Sequence, residues 1–404
     1  MTIAPYGQTP GDLMGSIPMS SPDLTDAELA AVRDVLRCGQ LSAGRNLAAF
    51  EKAFAEFVRA RHAIAVSNGT AALHLSIIAA GVREADLVLT SPFSFVASAN
   101  CILYERAIPI FVDVETTTGN LSLSRVEHVL NDLSSGGVDA LPRALRSNSP
   151  RGRVKAVLPV HVFGRPVDMA SLTAIAHARD IAVVEDACEA IGAQWDGRQV
   201  GTFGTCGCFG FYPNKQMTTG EGGMIVTNED SRADLCRSLR NQGRDAADQS
   251  VNNRLGYNYR LSEIACALGL VQLSRLEELH KKRAQVARWY EERLTAVEGV
   301  ACPVGPSAGA RLSWFVYVVR FDDARLRTAV VEGLAAAGIP SRCYFRTIPL
   351  QPFYVERFGY RPGDFPNAEH LSDTCLALPF SSVMSEAAVD RVCASLRAAL
   401  RRAV

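Results

Sequence analysis

The sequence predicts an α/β fold, a mainly parallel seven-stranded sheet covered by helices and followed by a smaller C-terminal α/β domain. Three observations carry this. Short apolar runs edged by turn residues recur between His62 and Asn228, helical patterns lie between most of them, and past Asn252 a long amphipathic stretch replaces the alternation.

The elements follow in order. After a proline-interrupted leader, residues 24–37 read as an amphipathic helix with Thr25 as N-cap ahead of Glu28. The candidate strands are His62–Ser67, Leu87–Ser91, Ile108–Val114, Val154–Val162, Ile181–Asp186, Cys206–Phe211 and Met224–Asn228. Helical patterns at Ala71–Ala80, Phe95–Tyr104, Ser124–Leu133 and Met169–Arg179 connect them. Such strand-helix-strand units collect ligands at the carboxyl ends of their strands. Residues 134–153, rich in Ser, Gly, Pro and Arg, read as an exposed loop or insertion. A long helix over 262–298, broken once, carries Leu268, Leu273 and Leu276 on one side. A strand Trp314–Phe321, a helix Arg325–Ala337 and a terminal helix Glu386–Arg401 complete the chain. The expected organisation is a leader over 1–22, a large domain over 23–255 and a small domain over 256–404 that includes the long helix.

Composition bounds the function. With 48% hydrophobic and 21% charged residues, the 404-residue chain reads as globular rather than disordered or fibrous. Its 42 basic and 42 acidic side chains cancel, which gives no global electrostatic case for a nucleic-acid or membrane-surface partner. No secretory pattern precedes Arg33, and the most apolar stretch, 101–114, is interrupted by Glu105 and Arg106, so a cytoplasmic location without membrane contact is expected. Eleven cysteines fit a reduced compartment. Cys206 and Cys208 lack a second pair or a nearby histidine, so no metal is expected there.

Three segments could carry chemistry. Only five basic residues are lysines, and Lys52, Lys155, Lys281 and Lys282 have ordinary settings on charged helix faces or at a strand start. Lys215 stands instead in an aromatic, Gly- and Pro-rich turn, where a desolvated amine becomes a nucleophile suited to a Schiff base. A surface lysine in a turn is the competing reading. Ser67-Asn68-Gly69-Thr70 follows a strand and opens a helix, which makes either an anion cradle or a plain N-cap. Asp186 ends a strand, where a carboxylate can pair with a protonated ring nitrogen or cap a helix. Lysine, cradle and aspartate together are the parts of a pyridoxal phosphate site.

These residues lie within six stretches: SNGTAALHL (67–75), SPFSFVASANCILYERAIPIFVDV (91–114), PVHVFGRPVDM (159–169), EDACEAIGA (185–193), FYPNKQMTTGEGGMIVTN (211–228) and LGYNYRLSEIACALGLVQLSRLEEL (255–279). Through them the sequence resembles, over nearly its whole length, the DegT/DnrJ/EryC1/StrS family of pyridoxal-phosphate sugar aminotransferases, which have the fold type I, aspartate-aminotransferase-like architecture. The resemblance implies that Lys215 forms the Schiff base with the cofactor and shuttles the proton, while Asp186 keeps the pyridine nitrogen protonated. It further implies that Phe95 stacks on the ring, Gly69 and Thr70 hold the phosphate, and Glu189 sits near the phenolic oxygen. His161 and Asn214 fall beside these positions, His161 reading better as a buried structural histidine.

The family's dimers share their sites between subunits, so the resemblance sends Asn258 to the partner's phosphate with Arg260 nearby. Arg244, Arg260 and Arg342 become candidates for substrate phosphate or donor carboxylate. The implied reaction transfers an amino group from L-glutamate to a keto sugar linked to a nucleoside diphosphate, in a homodimer, by ping-pong chemistry. A keto cyclitol as acceptor, or a non-catalytic cofactor-binding regulator, are the alternatives. The family's dehydratase branch replaces the lysine by histidine, so Lys215 argues against it. Three departures stand out. Gly210 occupies a position where many members have Ser, Pro349 replaces a histidine in the pattern Ile-His-Leu-Gln-Pro, and the 134–153 loop is long.

Overall fold

Seven strands form one sheet in the order His62–Val66, Gly223–Thr227, Cys206–Gly210, Ala182–Asp186, Val154–Leu158, Leu87–Thr90, Ile108–Phe111. This computed structural model describes residues 17–147 and 152–403, so most of the expected leader and the middle of the 134–153 loop lie outside the described residues. Only Gly223–Thr227 runs antiparallel to its neighbours within this sheet. Helices Gly69–Ala79, Ala97–Tyr104, Leu123–Ser134 and Met169–His177 supply the crossovers. The strand expected to reach Val162 stops at Leu158, because Pro159 has no N–H to offer a ladder.

The first described helix, Asp26–Cys38, begins with the expected cap: Thr25 and Glu28 form a reciprocal capping box. Four helices, Arg45–Val58, Asp230–Arg240, Pro352–Phe358 and Pro366–Thr374, have no counterpart in the sequence reading. The reason is plain for the first. Gly44 caps it without a side chain, and its open N–H groups at Gly44, Asn46 and Leu47 donate instead to the Glu263 carboxylate, more than two hundred residues away in sequence. No local pattern can reveal a cap of that kind.

The long helix is broken once, at Arg275, into Glu263–Ser274 and Leu276–Leu294. Its buried face differs from expectation. Ala265, Cys266, Gly269 and Gln272 face inward while Leu268 and Leu273 are only half-buried. Close helix packing explains this, since a Cβ on Gly269 would lie 2.8 Å from the Phe50 ring. Leu276 and Leu279 join the core around Phe54, Phe209 and Phe211, whereas Val286, Tyr290 and Leu294 pack against Tyr317–Phe321, Cys375–Leu378 and the terminal helix Glu386–Ala403. The helix thus spans two cores. Tyr354, Phe358, Tyr360 and Phe365 return to the core of the large sheet, and Arg143 of the 134–153 loop pairs with Asp364 beside them. Among the described residues no helix is long and apolar enough to cross a membrane.

Candidate active site

A cavity of about 790 Å³ opens at the carboxyl ends of the parallel strands, and Gly69, Thr70, Phe95, Asp186, Glu189 and Lys215 all line it. Each arrives by a short route from the sheet. Asp186 is the last residue of its strand, Gly69 begins the helix after His62–Val66, and Phe95 lies between the strand Leu87–Thr90 and the helix Ala97–Tyr104. Lys215 sits in the turn joining Cys206–Gly210 to the antiparallel Gly223–Thr227.

The carboxylate of Asp186, 5% exposed, is oriented by two donors. Ser98 donates its hydroxyl to Oδ2 at 2.7 Å and the Cys188 N–H reaches Oδ1 at 3.1 Å. Neither partner was visible in the sequence reading, since Ser98 lies on another crossover. Lys215 Nζ stands 3.8 Å from Glu189 Oε1 and 3.8 Å above the centre of the Phe315 ring. Glu189 also accepts from the Phe163 N–H at 2.9 Å. Burial pushes its carboxyl above the usual range, against the pull of the Lys215 charge.

The far end of the cavity is built for an anion. The Asn68 side chain accepts from the Ala71 N–H at 2.8 Å, which leaves the first N–H groups of the helix Gly69–Ala79 without an intrahelical acceptor. Gly69 is fixed in size, because a Cβ there would meet the Cys188 sulfur at 2.9 Å. Gly210, opposite, has room: its nearest neighbours would be Cys188 Cβ at 3.5 Å and Gly69 Cα at 3.7 Å. The missing hydroxyl at Gly210 is therefore not a steric exclusion. Phe95 presents its ring with 61% exposure, and Tyr212, Tyr344 and Phe345 line the same space. Asn214 lines it too, with its Oδ1 buried and without a partner among the described residues.

Other candidates lie elsewhere. His161 is fully buried, with Nδ1 accepting from the Val167 N–H at 3.1 Å and Nε2 at 3.2 Å from Glu185, and it does not line the cavity. Asn258 is exposed, its backbone bridged to Asn241, and Arg260 donates to the Asn241 side chain at 2.9 Å. Arg244 and Arg260 line a separate cavity of about 260 Å³ together with Arg237 and Arg240. Arg342 is exposed, yet its charge is felt by Tyr344 on the main cavity wall. Pro349 is buried in the short turn Ile348–Leu350 and does not line the cavity.

Comparison with known proteins agrees with this architecture. A model described as the DegT/DnrJ/EryC1/StrS aminotransferase family matches residues 22–397. The GDP-perosamine synthase of Caulobacter vibrioides is 36% identical over 358 residues, 88% of this chain and 90% of that protein. The spore coat polysaccharide biosynthesis protein SpsC of Bacillus subtilis is 32% identical over 395 residues, 94% of this chain and 96% of that one. Among solved structures, the aminotransferase TlmJ from Streptoalloteichus hindustanus superposes with a TM-score of 0.85 at 30% identity, covering 96% of this chain and 100% of that chain.

Proposed function

The chain belongs to the DegT/DnrJ/EryC1/StrS family and is a pyridoxal-phosphate-dependent aminotransferase of the fold type I architecture, and we propose that it moves an amino group from L-glutamate to a keto sugar carried by a nucleoside diphosphate. The observation that carries this reading is one cavity shared by the Lys215 amine, the Asp186 carboxylate and an open helix N-terminus. Its volume of about 790 Å³ lies high in the ~300–1,000 Å³ range of small-molecule sites, which leaves space for a substrate beside a cofactor.

The residues present fit that cofactor. The open N–H groups at Gly69 and Thr70, with the Thr70 hydroxyl, would hold its phosphate, the exposed Phe95 ring would cover one face, and Asp186 would accept from its pyridine N–H. When bound, pyridoxal phosphate supplies an aldehyde for amine exchange and an electron-accepting ring beside the reacting carbon. Lys215 Nζ would take the proton from the donor's α-carbon in the first half-reaction and would protonate the former carbonyl carbon of the acceptor in the second. Ser98 and Cys188 hold Asp186 in register, and Glu189 keeps the lysine amine on the cavity side. Arg342, exposed and near enough for its charge to act on Tyr344 of the cavity wall, suits the donor's carboxylate or the acceptor's phosphates.

Asn258, Arg244 and Arg260 do not line their own chain's main cavity, and we assign them to the partner's site in a homodimer. Leu24, Leu29, Leu36 and Leu41, all about half exposed, support an interface around the first described helix. The nucleotide is inferred from the name of the Caulobacter relative and from the arginines assigned to the partner's site. Eleven free thiols suit a cytoplasmic setting.

The test is a two-step titration. Glutamate should discharge the visible absorbance of the holoenzyme, and a keto sugar linked to GDP, UDP or dTDP should restore it. Restoration by free keto cyclitols and not by nucleotide-linked sugars would reassign the acceptor. Borohydride reduction of the resting holoenzyme should link the cofactor to the peptide containing Lys215.

A further inference from the structure

One charged side chain beside the site has no task so far. Arg283, on the helix Leu276–Leu294, is 2% exposed, and none of the described carboxylates lies within ion-pair distance of it. Its Nη1 and Nη2 donors meet backbone carbonyls alone, while Nε is buried without a partner among the described residues. Nη2 donates to Lys215 O at 2.6 Å and Asn214 O at 3.3 Å, while Nη1 donates to Phe315 O at 3.1 Å and Trp314 O at 3.5 Å. Burial pushes the guanidinium down to about 10, so it stays charged at neutral pH. Burying a cation without a counter-ion is costly, and here the bonds to four backbone carbonyls are what offset that cost.

What they hold is the lysine and its floor. The Phe315 ring lies 3.8 Å under Lys215 Nζ, and the one guanidinium joins the carbonyls of both residues. The next residue along repeats the link: Gln216 Nε2 donates to Glu189 O at 2.7 Å and to the Ser313 hydroxyl at 2.9 Å. Segments 214–216 and 313–315 are thus stapled twice. A planar guanidinium can span two carbonyl pairs, which a single ammonium cannot.

We propose that Arg283 is a positioning residue that fixes the Lys215 amine above the Phe315 ring and so sets the reactivity of that amine. It touches neither cofactor nor substrate and acts only through Lys215 and Phe315. The proposal rests on Lys215 being the reactive amine, and the two can fail separately.

The test uses Arg283→Lys, Arg283→Met and Phe315→Leu. In cofactor-free protein, each lysine is labelled with trinitrobenzenesulfonate and followed by peptide mapping, with Lys52 and Lys155 as internal references. Lys215 should label faster than in the parent, by roughly tenfold in Arg283→Met and less in Arg283→Lys, while the reference lysines keep their rates. In the holoenzyme kcat should fall roughly 10–100-fold with KM little changed. Phe315→Leu leaves the carbonyl bonds in place and should reproduce the change at Lys215, so the test survives if Arg283→Met fails to fold. Parent-like labelling of Lys215 in Arg283→Lys and Phe315→Leu overturns the proposal, as does a fall in thermal midpoint and kcat without a change in that labelling. Borohydride linkage at a lysine other than Lys215 would instead refute the assignment of the reactive amine.

Discussion

The turn that carries Lys215 and the excursion that carries Arg244 and Asn258 are both loops, yet they are held differently. Around Lys215, the turn's own bonds, such as the Lys215 N–H to Tyr212 O at 2.9 Å, are joined by bonds from outside: Gln272 accepts from the Thr218 N–H at 3.2 Å, Arg283 holds two carbonyls, and Gln216 reaches Glu189 and Ser313. The excursion between Asn241 and Asn258 bonds largely to itself. Arg244 bridges Asn252, Asp245 accepts from Ala247 and Asp248, and Leu255 is left 84% exposed. A group that must meet a reacting atom is held from several elements, whereas the excursion, in the homodimer proposed above, would be finished only on assembly.

The contrast is tested most severely at the lysine. Lys215→Ala should lower amino transfer by more than about 10³-fold and abolish borohydride linkage, since both proton transfer and the covalent anchor are lost. A steady-state assay at saturating glutamate checks this. Asp186→Asn keeps the shape and removes the charge, and kcat should fall on the order of 10²-fold with cofactor still bound by equilibrium dialysis. Ser98→Ala removes one of its two orienting donors, and a fall of about tenfold is expected, matching the ~1.5 kcal/mol of a bond to a charged group.

The excursion requires a different experiment, because its residues are assigned to the other subunit. Asn258→Ala combined with Arg260→Ala should raise KM for the acceptor or loosen the cofactor by roughly tenfold. Mixing that variant, about tenfold impaired at low acceptor, with the inactive Lys215→Ala and assaying well below the parental KM should recover about a quarter of parental activity, since heterodimers then contain one intact shared site. No recovery after verified subunit exchange would mean that the excursion serves its own chain, and the contrast drawn above would fail.

The same contrast separates what could be read from the sequence from what could not. Every strand of the large sheet lies within a few residues of its expected place, because each is a short apolar run closed by a turn. The motifs around Gly69, Asp186 and Lys215 sit at strand ends, where a parallel sheet exposes ligands, so their convergence on one cavity follows from topology. Ser98, Phe315 and Arg283 were invisible because each meets its partner across a long sequence separation. The helix Arg45–Val58 was missed for the same reason, its N-terminus being held by Glu263. Periodicity reports which face is buried, but not which distant atom completes a bond.

The smallest expected effect concerns stability rather than turnover, and it arises on the lysine side alone. His280 precedes Arg283 on the same helix, its Nε2 is sealed from solvent without a partner among the described residues, and burial with the nearby Arg311 and Arg283 charges lowers its pKa to about 4. The unfolded chain binds that proton near 6.5 and the native chain does not, so stability is whole above about 6.5 and falls, by on the order of 3 kcal/mol, as the pH drops toward 4. Glu189 works against this, since its raised pKa makes the native state bind a proton first and gain stability on acidification. On the excursion, Asp245 and Asp248 are held below the usual carboxylate range by backbone N–H groups and Ser250, so they release their contribution only at lower pH. Denaturant midpoints of His280→Leu at about pH 7 and pH 4.5 should therefore differ less than those of the parent, with kcat at neutral pH unchanged. An equal fall in both proteins would place the acid sensitivity outside this helix and remove the energetic distinction between the two regions.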